Sequence, residues 1–153
     1  MDAKKLSHFA KRKTAVVVVN HDGIVRQWFS ANRKRHRNGG LPAIIEENGD
    51  KTWYYQGKCH RGDDLPATIN DNDGMKEWWY QGKTHRDGDK PASIWGSGML
   101  SWYQHGKLHR DGDKPAIIWE DGSEEWYQNG ETYRENNKAV YEGADGTRIW
   151  KKK

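Results

Sequence analysis

An all-β repeat array is the fold class this sequence predicts, and three observations carry that prediction. Aromatic residues recur at Phe29, Trp53, Trp78, Trp102, Trp126 and Trp150, spaced 24 or 25 residues apart. In register with the first five stand His36, His60, His85, His109 and Tyr133, followed by Pro42, Pro66, Pro91, Pro115 and Ala139. Turn glycines close the units at Gly49, Gly74, Gly98, Gly122 and Gly146. A fixed period of this length marks one supersecondary unit that cannot bury its apolar face alone and stacks on copies of itself. The expectation is an elongated, twisted antiparallel array of about five to six 24-residue β-hairpin units.

Composition decides whether such an array folds. Apolar residues make up 33% of the 153-residue chain and charged residues 31%, a balance that leans toward disorder. Nine Trp and seven Tyr oppose it. Each buried ring removes about 150–250 Å² from water, which is about 4–6 kcal/mol before ordering entropy is counted. An aromatic ladder with Ile and Ala between the rings is therefore the expected core.

One unit, Trp102 to Gly122, illustrates the elements in order. Two dipeptides carry turn chemistry: His105-Gly106, matched by Gln56-Gly57, Gln81-Gly82 and Asn129-Gly130, and Asp121-Gly122, matched by Asn48-Gly49, Asp73-Gly74, Ser97-Gly98 and Asp145-Gly146. Both are expected to form type I′ turns, in which two consecutive residues take positive φ. Three extended pieces lie around them: Trp102–Gln104, Lys107–Arg110 and Pro115–Trp119. Proline suits a strand start, where its missing N–H costs little. Ala116 and Ile118 then share a face, as do their counterparts Ala43 and Ile45, Ala67 and Ile69, and Ala92 and Ile94. One extra residue falls between Pro66 and Gly74, beside a turn. The first unit has Arg33 in place of the turn glycine and reads as one end cap; the last, with Tyr133 and Ala139, reads as the other.

Adjacent aromatics set up the functional question. Trp53-Tyr54, Trp78-Trp79, Trp102-Tyr103 and Trp126-Tyr127 are consecutive strand residues, so their side chains point to opposite faces. One column fills the core. The other, Tyr54, Trp79, Tyr103 and Tyr127, is either covered by the His-Arg-Asp-Gly loops, shared with a second subunit, or left as a recognition surface. Arg61, Arg86 and Arg110, which follow the repeated histidines, join it as candidate partner-binding residues.

The phrase W-Y-Q-x-G-K-x-H followed by a D-G turn, over residues of about 20 to 150, resembles the MORN repeat (membrane occupation and recognition nexus). The shared positions are Gly57, Lys58, His60, Gly82, Lys83, His85, Gly106, Lys107, His109, Asp121 and Gly122. Where that repeat has H-G-x-G, this chain has the longer H-R-x-G-D-x-P-A. That form is similar to a variant found in proteins of bacteriophages and large DNA viruses. The resemblance implies a run of β-hairpins and a scaffold or recognition role without catalysis; inhibition of a host factor is a further role that fits.

Charge is divided along the chain. Residues 1–37 hold ten Lys/Arg against two Asp (+8), residues 38–150 hold 13 against 20 acids (−7), and Lys151, Lys152 and Lys153 close the sequence. The expected organisation is a flexible basic arm over residues 1–13, a single repeat domain over 14–150 and a basic tail over 151–153. Lys4, Lys5, Lys11, Arg12, Lys13, Arg33, Lys34, Arg35 and Arg37 are candidates for binding nucleic-acid phosphates or another anionic surface. The repeated His and Asp residues invite a metal or acid–base hypothesis, yet such sites are ordinarily unique. Repetition favours a structural role, with His donating to loop backbone and Arg pairing with Asp or stacking on Trp. No catalytic residue, metal ligand or cofactor is assigned. Cys59, the single cysteine, sits in a variable slot and is expected to be inert. The apolar run 15–19 is too short to span a membrane, so a reducing cytoplasmic setting is expected. The leading expectation is a protein-interaction module, with self-association possible. Nucleic-acid association through the basic end and carbohydrate binding through the rings are the alternatives.

Overall fold

The structure, a computed structural model, describes residues 16–20 and 23–151, with side chains from residue 25 onward. Lys4, Lys5, Lys11, Arg12 and Lys13 lie outside the described residues. Strands are numbered in chain order. β1 (Val16–Asn20) and β2 (Gly23–Gln27) form the opening hairpin. Next come the sheet pairs β3 (Ile44–Ile45) and β4 (Lys51–Thr52), β7 (Thr68–Ile69) and β8 (Lys76–Glu77), and β11 (Ser93–Ile94) and β12 (Leu100–Ser101). β15 (Ile117–Ile118) with β16 (Glu124–Glu125) and β19 (Tyr141–Glu142) with β20 (Arg148–Ile149) complete the series. These twelve strands make one antiparallel sheet in that order. At about 4.8 Å per strand it extends roughly 50 Å. The all-β hairpin array expected from the period is the observed fold.

Four two-stranded hairpins branch from the sheet, one per unit: β5 (Tyr54–Tyr55) with β6 (Lys58–Cys59), β9 (Trp79–Tyr80) with β10 (Lys83–Thr84), β13 (Tyr103–Gln104) with β14 (Lys107–Leu108), and β17 (Tyr127–Gln128) with β18 (Glu131–Thr132). Consecutive side hairpins are tied by backbone bonds. The N–H groups of Gly57, Gly82, Gly106 and Gly130 donate to the carbonyls of Arg35, Cys59, Thr84 and Leu108 in the preceding unit, at 2.8–2.9 Å. A Cβ on Gly82 would sit 3.7 Å from the Lys58 side chain, and one on Gly130 would sit 3.6 Å from that of Lys107. The repeated Gly-Lys pair thus packs lysine stem onto the next unit's glycine.

The interior is a column of indoles alternating with alanines. Trp53, Trp78, Trp102 and Trp126 are buried, and Ala43, Ala67, Ala92 and Ala116 are fully so. Two sequence expectations change here. In the first unit Trp28, not Phe29, takes the interior register. Its N–H donates to the Ala43 carbonyl and its carbonyl accepts the His36 N–H, as Trp53 does with Ala67 and His60. A longer turn over Ser30–Lys34 absorbs the extra residue, and Phe29 pairs with Arg35 on the other face. Trp150 keeps the period but is 54% exposed, with no guanidinium over its ring among the described residues.

The two turn families also differ from one another. Gln56-Gly57, Gln81-Gly82, His105-Gly106 and Asn129-Gly130 have positive φ at both positions, as type I′ requires. In the Asp-Gly family only the glycine is positive. Glu46 to Gly49 close a three-residue-linked turn through Gly49 N–H to Glu46 carbonyl, and Glu46 N–H then donates to the Asp50 carbonyl. This is a type I turn with a glycine bulge. The residue before the glycine serves as an Asx or Ser acceptor, with Asp121 Oδ1 taking the Ser123 N–H at 2.8 Å and Asp145 Oδ1 the Thr147 N–H at 2.8 Å.

The extra residue in Asn70–Met75 is accommodated by a neighbour. A Cβ on Gly96 would fall 1.7 Å from the Asp73 carbonyl oxygen, so no side chain fits there while that loop keeps its length. Gly96→Ala should therefore destabilise by about 1–3 kcal/mol in denaturant melts, as overpacking does. Shortening the 70–74 loop by one residue should recover most of the loss. An unchanged midpoint for Gly96→Ala refutes this account of the insertion.

Candidate functional site

The repeated His-Arg-Asp-Gly-Asp loops fold over the tryptophan column and lock each unit to the one before. The Nε1–H groups of Trp53, Trp78, Trp102 and Trp126 donate to the carbonyls of Gly40, Asp64, Asp89 and Asp113 at 2.8, 2.9, 3.2 and 3.1 Å. These acceptors all have positive φ, which turns the carbonyl toward the indole. A guanidinium lies over the face of each indole. Arg61, Arg86, Arg110 and Arg134 sit 3.5–3.8 Å from the ring centroids of Trp53, Trp78, Trp102 and Trp126.

The same arginines reach back one unit. Arg86 Nε donates to Asp64 at 2.7 Å and Arg110 Nε to Asp89 at 2.7 Å, while Lys90 and Lys114 join those carboxylates at 2.7 and 2.6 Å. Arg134 and Lys138 do the same at Asp113. Each Arg Nη1 also donates to a backbone carbonyl at the start of the next strand, Pro66, Pro91, Pro115 and Ala139 for the four in turn. The side chains of Arg86 and Arg110 are only 14% and 15% exposed. Arg61 shares the stacking but has Gly40 where the others have Asp, so it makes no ion pair among the described residues. All three arginines are therefore spent on the fold and do not form a surface with the aromatic candidates.

The histidines also differ from expectation, since they accept from backbone rather than donate to it. Nδ1 of His85 takes the His105 N–H at 3.4 Å and Nδ1 of His109 the Asn129 N–H at 3.1 Å. Their Nε2 atoms face Asp87 at 3.2 Å and Asp111 at 3.0 Å, which assigns the proton to Nε2. His60 Nδ1 is buried with no hydrogen-bond partner among the described residues. No group of three or more His, Cys, Asp or Glu converges on a metal-sized site among the described residues.

On the side opposite the buried indoles, Tyr54, Trp79, Tyr103 and Tyr127 recur once per unit along the side hairpins, each half-buried. Sequence reasoning missed its companions. Trp95 and Trp119, 38% and 39% exposed, follow Ser93 and Ile117 by two residues on the same face, and Glu77 and Glu125 precede Trp79 and Tyr127 by two. The period-2 rule places all four there, but the acidic strand between the glycine turn and the tryptophan was not recognised as a strand. Glu77 accepts from Trp79 Nε1 at 3.1 Å, and Glu125 from Trp119 Nε1 at 2.9 Å and Tyr127 Oη at 2.8 Å. Burial and the Glu125 bond push the Tyr127 phenol up to about 12, and burial with the Glu77 charge raises that of Tyr103. Cys59 opens onto this face opposite Tyr54; burial raises its thiol to about 11, opposed by a Thr68 contact. Of the basic candidates, Arg33, Lys34 and Arg35 are exposed on the first hairpin, while Arg37 stacks on Trp28 at 3.7 Å.

No protein-family profile, curated protein or solved structure matches this chain. The fold and face together define a β-hairpin repeat array with an internally locked column on one side and an aromatic–carboxylate column on the other.

Two measurements check this assignment of sides. The Asp64, Asp89 and Asp113 carboxylates are held below the ordinary range, chiefly by hydrogen bonds from Arg and Lys of the next unit, with Asp89 at about 2. Their contribution is complete above the unfolded carboxylate value near 4 and is lost as pH falls through the folded values. The melting temperature should drop between about pH 4 and pH 2, and much less so in the triple Asp→Asn variant, which leaves the loop conformation accessible. Equal acid sensitivity in both proteins would refute the lock. Separately, the native Cys59 thiol should alkylate at pH 8 about a hundredfold more slowly than in denaturant, in line with its raised value; matching rates would mean the face is not packed as described.

Proposed function

We propose that the chain is a non-enzymatic protein-interaction module that docks a partner on the face carrying Tyr54, Trp79, Tyr103 and Tyr127. The supporting observation is the recurrence of six partly exposed aromatic side chains on the side opposite the buried indoles, those four on the side hairpins and Trp95 and Trp119 just after β11 and β15 of the long sheet. The opposite side has its loops and cations engaged internally. Large, rigid aromatics supply contact area at low entropic cost, which is why they dominate the energetics of protein interfaces. The scaffold or recognition role implied by the MORN resemblance, its viral or phage setting, and inhibition of a host factor all fit a chain whose repeated residues serve architecture. A cytoplasmic setting fits a single thiol held in reduced, protonated form.

A second reading rests on Arg33, Lys34 and Arg35, which project from the first hairpin at the basic end of the array. They offer an anionic surface, nucleic acid included, a place to sit beside the array.

Docking and folding separate experimentally. Tyr103→Ser with Tyr127→Ser should reduce recovery of specific partners at least about tenfold, consistent with loss of hot-spot rings. Tyr55→Ser with Tyr80→Ser, on exposed rings beside the histidine column, should leave recovery intact. Undiminished capture by the first pair would remove this face as the docking surface; capture abolished by salt alone would favour the basic end instead.

A further inference from the structure

Resting on the docking face just proposed, a more specific statement about the partner follows from the charges within it. Glu77 and Glu125 are half-buried and receive only neutral donors, the indole N–H groups of Trp79 and Trp119 and the phenol of Tyr127. No cation pairs with either carboxylate among the described residues. Any partner that covers this face takes both carboxylates out of water. A neutral partner, a sugar chain included, would strand two charges at a cost of several kcal/mol. A cationic one would offset that cost with charge-assisted hydrogen bonds.

The protein itself displays the complementary contact once. Arg35 lies with its guanidinium carbon 5.5 Å from the ring centroid of Tyr54. It occupies the hairpin position that later units fill with Cys59, Thr84, Leu108 and Thr132, none of which can place a cation on the next ring. Along the column, Trp79, Tyr103 and Tyr127 therefore carry no guanidinium among the described residues, where Tyr54 has one. The two carboxylates beside those rings complete the match.

We infer that this face binds an extended segment of a partner protein through two arginine side chains, one paired with Glu77 beside Trp79 and Tyr103, the other with Glu125 between Trp119 and Tyr127. Arginine is selected over lysine because a planar guanidinium stacks on a ring while bridging a carboxylate. The spacing is set by the sheet. Glu77 on β8 and Glu125 on β16 are separated by four strand steps, through β11, β12 and β15, which is about 19 Å. An extended chain rising about 3.3 Å per residue covers that in about six residues. Six is even, so both arginines project from the same side of the segment. The recognised pattern is Arg-x-x-x-x-x-Arg.

The probe is the acetylated and amidated peptide Gly-Arg-Gly-Ser-Gly-Ser-Gly-Arg-Gly, compared with its citrulline analogue and with an isomer in which the arginines are adjacent. Binding is read from tryptophan fluorescence and calorimetry at about 150 mM salt, where unpaired surface attraction is screened. The spaced arginine peptide should bind the intact protein at least about tenfold more tightly than either control. Glu77→Gln with Glu125→Gln should erase that preference, and the distant Glu135→Gln should preserve it. Equal affinity for the citrulline peptide or the isomer, or an undiminished preference in the double Gln variant, overturns the inference. The partner isolated through the docking face separates the two levels. If Tyr103→Ser with Tyr127→Ser releases it and the double Gln variant does not, the arginine pairing fails while the docking face stands. If neither releases it, both fail.

Discussion

The fold depends on one contact repeated four times: an indole bonded at its N–H edge to the carbonyl of the preceding loop and stacked against a guanidinium from its own unit. Each tryptophan donates its N–H backward, to Gly40, Asp64, Asp89 or Asp113, and is capped by Arg61, Arg86, Arg110 or Arg134. Because the arginine then reaches back to the aspartate that supplied the carbonyl, one residue presents both its backbone and its side chain to the next unit. Two-residue strands could not hold a sheet together by backbone pairing alone. The lock supplies what they lack, and it explains why the loop is longer and more charged than a plain glycine-rich turn needs to be. Each cation–π contact contributes about 0.5–2 kcal/mol, and in an array these terms propagate from unit to unit.

The order of the array was legible because a repeat multiplies every local signal. A turn glycine or a buried indole seen once is ambiguous, while the same residue at Trp53, Trp78, Trp102 and Trp126 is a column. What sequence reading lost were places where the local context departs from the average. Phe29 matched the period numerically, yet Trp28 took the inward-facing register, because the extra residue of the first turn shifts the register by one, and a shift of one exchanges the two faces of a strand. The Asp-Gly turns took a bulged form because the aspartate gains more by accepting the N–H two residues on than by adopting positive φ itself.

The candidate face was legible in half. Alternation placed Tyr54, Trp79, Tyr103 and Tyr127 opposite the core. The arginines were read two ways, as partner-binding residues and as structural partners of Asp or Trp, since a repeated cation in a loop looks equally suited to a surface or to an internal stack; the second reading is the observed one. Their burial is a tertiary fact: it requires the indole, the aspartate and the strand-start carbonyl to meet from three segments of the chain. Glu77 and Glu125 were hidden for a different reason. They lie in an acidic stretch that lacks β-branched residues, so strand propensity said little about it, and pairing with Ser93 and Ile117 is what orders it.

An array of this kind divides labour between its two sides. On one side the charges are neutralised within the protein: cations sit on rings and carboxylates sit on cations. On the other, rings and carboxylates recur but, among the described residues, a guanidinium lies over a ring only at Tyr54. If the second side were merely the solvated back of the sheet, nothing would favour placing an indole N–H and a phenol on the same carboxylate, since water would serve Glu125 as well and at no cost in side-chain freedom. Fixing Glu125 between Trp119 and Tyr127 orients an unneutralised charge before any ligand arrives, and such preorganisation lowers the entropy lost on binding. The internal lock makes that placement dependable, because each carboxylate inherits its position from a backbone already tied to the units on either side.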